Sequence, residues 1–370
     1  MNILIISTQN PYKTSGIVAL NLYKGFKDQG YNARLLIREY GIYNSNDIVS
    51  METRFDAFIL SWKNRFKYWD NWFAKKINKS GLFFKEKKTN PNYYIQDYDQ
   101  TIEYYSTKKI IKKIGFKPDA IIYLFQQNFL NAKNLFELNK LTGAKIFWYL
   151  MDTAALTGGC HYSWDCERYK QGCGCCPALF SSNENDQSAI NLSFKLKYLS
   201  QTNISIISPT EWQHLKAVES TLFKVKPIEK ILLSIDSDEY NYLPKIIGKE
   251  KLGISVDKKV IFFGATSINH TRKGMKQLIE ALEILKESNI LKNENVLLLV
   301  AGELKEQQNL FPFEYRELGL LANNEQLVAV YHAADVFVFC ELAQAAPRLG
   351  KGATWVERVR RESSVGLGSR

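Results

Sequence analysis

Phe147-Trp148-Tyr149-Leu150, led in by Ala144-Lys145-Ile146 and followed by Met151-Asp152-Thr153, is the stretch whose reading decides the fold. A short run of aromatic and aliphatic residues stopped by a polar pair reads as a strand buried on both faces, which is the environment of a parallel sheet. In open α/β sheets ligands gather at the carboxyl ends of the strands. Asp152, the pair Gly158-Gly159 and His161 follow that end directly, so chemistry is expected there, with Asp152 and His161 as candidate catalytic residues.

Five of the six cysteines lie just beyond: Cys160, Cys166, Cys173, Cys175 and Cys176. Cys173-Gly174-Cys175-Cys176-Pro177 brings thiols together on one tight turn. Cys160 and Cys166 could close a tetrahedral zinc site with Cys173 and Cys176, leaving Cys175 spare, although the spacing departs from the usual two-pair pattern. Reduced thiols packing a loop, or disulfides, are the other readings. Disulfides fit less well, because the chain opens Met1-Asn2-Ile3-Leu4 without a cleavable signal, which points to a reducing cytoplasm.

Outward from this stretch, strands and helices alternate. Residues 2–7 read as a strand, followed by a polar loop ending in Thr14-Ser15-Gly16 and by a helix on which Ala19, Leu22, Tyr23 and Phe26 keep helical spacing. Thr14 and Ser15 are suited to cap that helix, and Gly16 to bring its backbone near a phosphate or sugar oxygen. The three-glycine dinucleotide fingerprint is absent. Further strands are expected at 33–37, 119–124 and 205–208, and helices ending at 114, over 128–141 and over 211–219. Residues 227–244 read as a link. A second unit begins at Lys259 with a strand ending in Gly264. Arg272-Lys273-Gly274 then precede a helix carrying Met275, Leu278, Ile279, Leu282 and Leu285. Two cations before a helix oppose its dipole, which favours an anion such as a diphosphate between them. A strand at 296–301, a helix at 324–333 and a strand at 335–339 follow.

The composition, 45% hydrophobic and 24% charged over 370 residues, is that of a soluble chain long enough for two domains. No apolar run is long enough to span a membrane. The net charge of +11 is concentrated in residues 62–88, where nine Lys or Arg face Asp70 and Glu86. Trp62, Phe66, Trp69, Phe73 and Ile77 form one helical face there. The stripe reads first as core with solvated lysines, and second as an amphipathic helix making peripheral contact with an anionic membrane. No nucleic-acid motif is present, so nucleic acid is not an expected partner.

On Gly16, Thr157-Gly158-Gly159-Cys160-His161-Tyr162, Cys166, Tyr169, Cys173-Gly174, Cys176-Pro177, Phe263-Gly264-Ala265, Arg272-Lys273-Gly274 and Tyr331-His332-Ala333-Ala334-Asp335-Val336, the chain resembles the retaining, nucleotide-sugar-dependent glycosyltransferases of group 1, or family four. The resemblance covers residues 1–340. It implies a GT-B α/β architecture of two Rossmann-like domains facing across a cleft: an acceptor-side domain over 1–225 and a nucleotide-sugar-binding domain over 226–340. It implies a UDP-, GDP- or ADP-sugar donor and a glycan or lipid-linked acceptor in surface polysaccharide synthesis. No catalytic metal is implied. By position, Ser15, Gly16, Gly264, Arg272 and Lys273 would bind the donor, and Asp152 would contact the transferred sugar. The place is the cytoplasm, with peripheral contact at the inner membrane face.

The chain also departs from that pattern. Where relatives carry a histidine before the aspartate, it has Met151, and where they carry an arginine after the strand glycine it has Ala265, which shifts diphosphate binding toward Lys273. The two donor-holding glutamates expected after Phe339 are missing, while Glu317 and Glu325 precede the strand and are rejected as that pair. From residue 341 onward Ile, Asn, Tyr and Phe vanish and Lys351 is the sole lysine. That change reads as a non-native tail on an incomplete second domain, with weak stability and little turnover expected of the 370-residue chain. The alternative readings are a catalytically inactive nucleotide- or partner-binding protein and, more remotely, a zinc-knuckle nucleic-acid binder.

Overall fold

Apolar runs alternating with amphipathic stretches build two parallel sheets with helices packed on both faces. The computed structural model describes residues 1–340 except 13–15, 42, 44, 57–88, 96, 234–237, 239, 241–242, 289–294, 305–309 and 322. The chain divides into two compact units, Met1–Ser234 and Ile235–Arg370.

In the first unit the strands are β1 (Asn2–Ser7), β2 (Asn32–Ile37), β3 (Ile48–Ser50), β4 (Ala120–Tyr123), β5 (Lys145–Tyr149), β6 (Ile204–Ser208) and β7 (Ile228–Lys230). The helices are α1 (Ile17–Asp28), α2 (Thr107–Ile114), α3 (Ala132–Thr142), α4 (Gln187–Leu199) and α5 (Glu211–Glu219). All strand pairs are parallel, in the order β3-β2-β1-β4-β5-β6-β7. The order reverses between β1 and β4, which opens a crevice at their carboxyl ends.

Successive strand residues point to opposite faces, and here both faces are covered. Leu4, Ile6, Ile146 and Trp148 pack with Ile110, Leu135 and Leu192 of α2, α3 and α4. Ile3, Ile5 and Tyr149 pack on the other side with Ala19, Leu20 and Tyr23 of α1. Trp148 is 2% exposed, with the rings of Tyr123 and Phe223 at 5.0 and 5.9 Å. Burying one such side chain is worth about 1.5–3 kcal/mol, so this double-sided strand anchors everything attached to its end.

The second unit contains α6 (Lys245–Lys251), β8 (Lys259–Gly264), α7 (Met275–Glu287), β9 (Val296–Ala301), β10 (Glu314–Gly319), α8 (Asn324–Ala333) and β11 (Val336–Val338). Its sheet, also parallel, runs β10-β9-β8-β11 and so repeats the β3-β2-β1-β4 arrangement of the first. Val260 and Phe262 face one cluster with Val330, while Phe263 faces another with Leu278 and Leu282. Among the described residues no strand follows β11.

Five elements lie outside the sequence reading, α4 (Gln187–Leu199) among them. β3 is three residues long. β7 falls inside the stretch read as a link, yet Ile228 pairs with Ile206. β10 is an exposed edge strand of mainly charged residues without an apolar face. α6 contains Gly248, where a Cβ would come within 2.4 Å of the Ala333 backbone nitrogen, so the glycine permits close helix packing and does not stop the helix. α3 begins later than expected. Asn128 is in the left-handed region (φ 48°), and Asn131 caps the helix through a reciprocal bond with Asn134. Among the described residues no helix is long and apolar enough to cross a membrane. The basic segment 62–88 and the tail 341–370 lie outside the described residues.

Candidate functional site

Asp152 leaves the carboxyl end of β5 and turns at once. Its Oδ1 accepts the Ala154 amide at 2.8 Å, and its Oδ2 lies 2.7 Å from His161 Nδ1. An ionised carboxylate can only accept, so Nδ1 of His161 carries the proton and donates it. The two candidate catalytic residues, nine positions apart, are therefore one unit. The hydrogen bonds that place His161 are backbone ones: its N–H donates to Tyr93 O at 3.1 Å, and its carbonyl accepts from Thr153 N at 3.1 Å. His161 is 4% exposed, with the Tyr94 ring set edge-on at 5.4 Å.

Beside this pair a small pocket opens between the carboxyl ends of β4 and β5, lined by Phe125, Gln126, Gln127, Met151, Asp152 and Ala155. Gln126 Nε2 donates to Ala154 O at 3.3 Å, whereas Gln127 Oε1 is buried with no hydrogen-bond partner among the described residues. A buried acceptor left unpaired costs about 1–3 kcal/mol, so a donor arriving in this pocket has something to gain. At the sheet's switch point Thr8 Oγ1 donates to Phe125 O at 2.9 Å, tying the loop after β1 to the same place.

The loop 152–161 is fixed from beneath by α4, through residues the sequence reading passed over. Lys195 is 2% exposed and donates to Ala154 O and Thr157 O at 2.6 and 2.8 Å. Burial pulls its ammonium down to about 8, against the attraction of Cys173, Asp97, Cys160 and Asp152. Asn191, also buried, donates to Gly158 O and Tyr98 O at 2.8 and 2.9 Å and accepts the Gln100 amide at 3.1 Å. A mid-helix lysine or asparagine has no local signature; only the tertiary fold shows these two facing inward.

Asp97 lies in the same layer, 7% exposed. Its Oδ2 accepts from Asn128 N at 3.4 Å, and Oδ1 has no partner among the described residues. Burial pushes its carboxyl up to about 6. A folded-state value above the unfolded one means that the native chain holds the proton more tightly. Stability therefore falls as pH rises from about 4 to 6 and levels off above, a cost of about 3 kcal/mol. Asp97→Asn is expected to remove it: thermal unfolding should show the variant more stable than the parent at pH 8 and the gap closing by pH 4.5. An equal gap at both values would contradict this.

The cysteine stretch is wrapped round a second small cavity. Cys160, Cys166, Cys173 and Cys176 all line it, with Tyr93 and Tyr169. Cys175 turns out of it, its thiol on Ser182 O at 3.2 Å. All six cysteines are free, so the disulfide reading has no counterpart in the structure. No three metal-binding side chains among the described residues converge on one point as they stand. Burial pushes the Cys160 thiol up to about 12 and the Cys173 thiol to about 11. The two glycines before Cys160 serve packing here. A Cβ on Gly158 would meet Ser188 O at 2.2 Å, so the missing side chain lets the loop rest on α4.

Of the donor-binding candidates, Ser15 lies outside the described residues. Gly16 takes the N-cap position of α1, in place of the Thr14 and Ser15 cap the sequence suggested. A Cβ on it would come within 1.8 Å of Asn10 O, so glycine is demanded here by the loop's closure on itself. In the second unit Gly264 ends β8. Arg272 and Lys273, half-buried, form a short 3-10 turn closed by Gly274 (φ 69°), which caps α7 without a side-chain bond. A Cβ on Gly274 would meet Cys340 O at 2.3 Å, which sets the two cations at the carboxyl end of the second sheet, beside the end of β11.

No family model matches the chain, and no curated protein matches it. Solved structures do. Sucrose-phosphate synthase from Thermosynechococcus elongatus is 11% identical, covering 94% of this chain and 77% of its own, with a TM-score of 0.55. The catalytic domain of starch synthase IV from Arabidopsis thaliana, bound to ADP and acarbose, is 14% identical over 91% of this chain and 77% of that one (TM-score 0.51). An E. coli trehalose-6-phosphate protein bound with UDP-2-fluoro glucose is 12% identical over 94% and 80% (TM-score 0.51). These are glycosyltransferases of the GT-B architecture, and the likeness shows that fold: mixed α/β, two Rossmann-like units.

Proposed function

We propose that this chain is a hexosyltransferase that moves a sugar, with retention, from a nucleotide-diphosphate donor to a glycan or lipid-linked acceptor in surface polysaccharide synthesis. The observation that carries the reading is the Asp152–His161 pair, 2.7 Å apart at the carboxyl end of β5, in a chain with the GT-B fold. Two similar structures hold nucleotide ligands, ADP and UDP-2-fluoro glucose, which supports a donor of that class.

The chemistry follows from charge. Breaking the bond from sugar to diphosphate leaves positive charge on the sugar and negative charge on the leaving group. Within the second unit Arg272 and Lys273, with the uncapped first amides of α7, suit the diphosphate, and Gly264 ends the neighbouring strand; Ser15 and Gly16 remain donor-binding candidates by their position in the sequence. Asp152 is engaged at both oxygens, so its part is to hold His161 in one tautomer and to place negative charge beside the sugar. His161 thereby supplies the imidazole absent at Met151. The cytoplasm is the proposed site of action, with residues 62–88 as the contact to an anionic membrane face.

The test is binding and hydrolysis of a panel of UDP-, GDP- and ADP-sugars by this chain and by one whose residues 341–370 are replaced by the continuation of the coding frame. Turnover of one donor supports the transferase reading. Binding without turnover in either would support the second reading, a nucleotide-binding protein without activity, which is favoured by the lack of the glutamate pair after Phe339.

A further inference from the structure

The four thiols gathered round one cavity take no part in the proposed transfer. Cys160, Cys166, Cys173 and Cys176 come from two separate turns and line the same cavity of about 20 Å³, room for one water or one ion. The backbone around them is held in conformations few residues adopt: Cys173 has φ 62°, Gly174 90° and Cys175 41°. Such strain persists only where the surroundings over-determine it. A Cβ on Gly174 would meet Glu184 O at 2.2 Å. The Cys176 amide donates to Asp186 Oδ2 at 2.8 Å, and Asp186 in turn caps α4. The knuckle is thus bolted to a core helix.

Its donors are turned toward sulfur. Gly158 N–H lies 3.3 Å from Cys173 Sγ, and the amides of Ala178 and Leu179 with the Ser188 hydroxyl face the Cys176 sulfur. Those donors act against burial, which holds the Cys176 thiol above its ordinary value. The surrounding charge fits too. Arg168 lines the cavity; Lys195 and Lys216, both in the electrostatic reach of Cys160, stand nearby. A tetrathiolate holding a divalent ion carries a net charge of about −2, which such cations offset.

We propose that Cys160, Cys166, Cys173 and Cys176 bind one structural zinc ion, which locks the loop after β5 and with it the position of His161. As the side chains stand no three metal-binding groups of the described residues converge on one point, so binding draws the four sulfurs inward from the cavity wall. On binding, four S–H bonds release their protons to solvent and four Zn–S bonds form, with no change of oxidation state. Four thiolates in tetrahedral array select zinc, or iron, over harder ions.

The test reads metal and needs no activity. The full chain, purified under reducing conditions without chelator, is expected to hold about one zinc, released as a mercurial titrates its thiols. Cys175→Ser is expected to keep that content, and Cys173→Ser to fall to about a fifth of it or lower. Should Cys173→Ser fail to fold, the mercurial titration of the parent decides alone. Parent chain with all thiols free and less than about a tenth of a zinc, a disulfide among the four, or iron or copper in zinc's place would each overturn the assignment.

Discussion

Replacing Lys195 by methionine is expected to destabilise the first unit by about 3–5 kcal/mol, measured as a lower urea midpoint with an unchanged slope. Methionine fills the lysine stem's space but cannot donate to Ala154 O and Thr157 O, so Thr157 O loses the Lys195 donor and Ala154 O keeps only the longer bond from Gln126. Asp97 and Asp152 also lose their nearest buried cation. Lys216→Met is the comparison: that ammonium rests over the Tyr169 and Trp212 rings at 5.1 and 4.8 Å, an interaction worth about 0.5–2 kcal/mol. A Lys195→Met effect no larger than that of Lys216→Met would mean that the loop 152–161 is not held from α4.

Asp152→Asn is expected to lower sugar transfer by about 10²–10⁴-fold while donor affinity changes little. The amide can still accept from Ala154 N, so the turn survives. Its other end presents an NH₂ to His161 Nδ1, which must then become the acceptor, and the imidazole is forced into the opposite tautomer. The negative charge beside the sugar disappears as well. His161→Gln should cost a similar factor, and the double variant little more, since the two act as one unit. Measured in the more active of the two chain versions, undiminished turnover by Asp152→Asn would remove the pair from the chemistry.

Much of this site is legible in the sequence because it sits where periodicity changes. A strand of large apolar residues, ended by a polar pair, places Asp152 at a carboxyl edge before any coordinates are known. β8, β9, α5 and α8 show the same clarity, each bounded by residues that stop its pattern. What escapes is whatever depends on tertiary approach. Lys195, Asn191 and Asp97 look like surface residues and become the layer beneath the loop. Gly16 suggests close approach to a ligand, whereas the space beside it is filled by backbone at Asn10, as the space beside Gly158 and Gly274 is by Ser188 and Cys340. β10, lacking an apolar face, is recognisable only from its pairing with β9.

The pairing of Asp152 with His161 in a GT-B chain is the centre of the account, and donor turnover tests it most directly. The panel of UDP-, GDP- and ADP-sugars should yield one donor that is bound and hydrolysed or transferred, more rapidly by the chain with its coding continuation, and silenced in both by Asp152→Asn. Absence of binding to every donor in both versions would contradict the transferase reading.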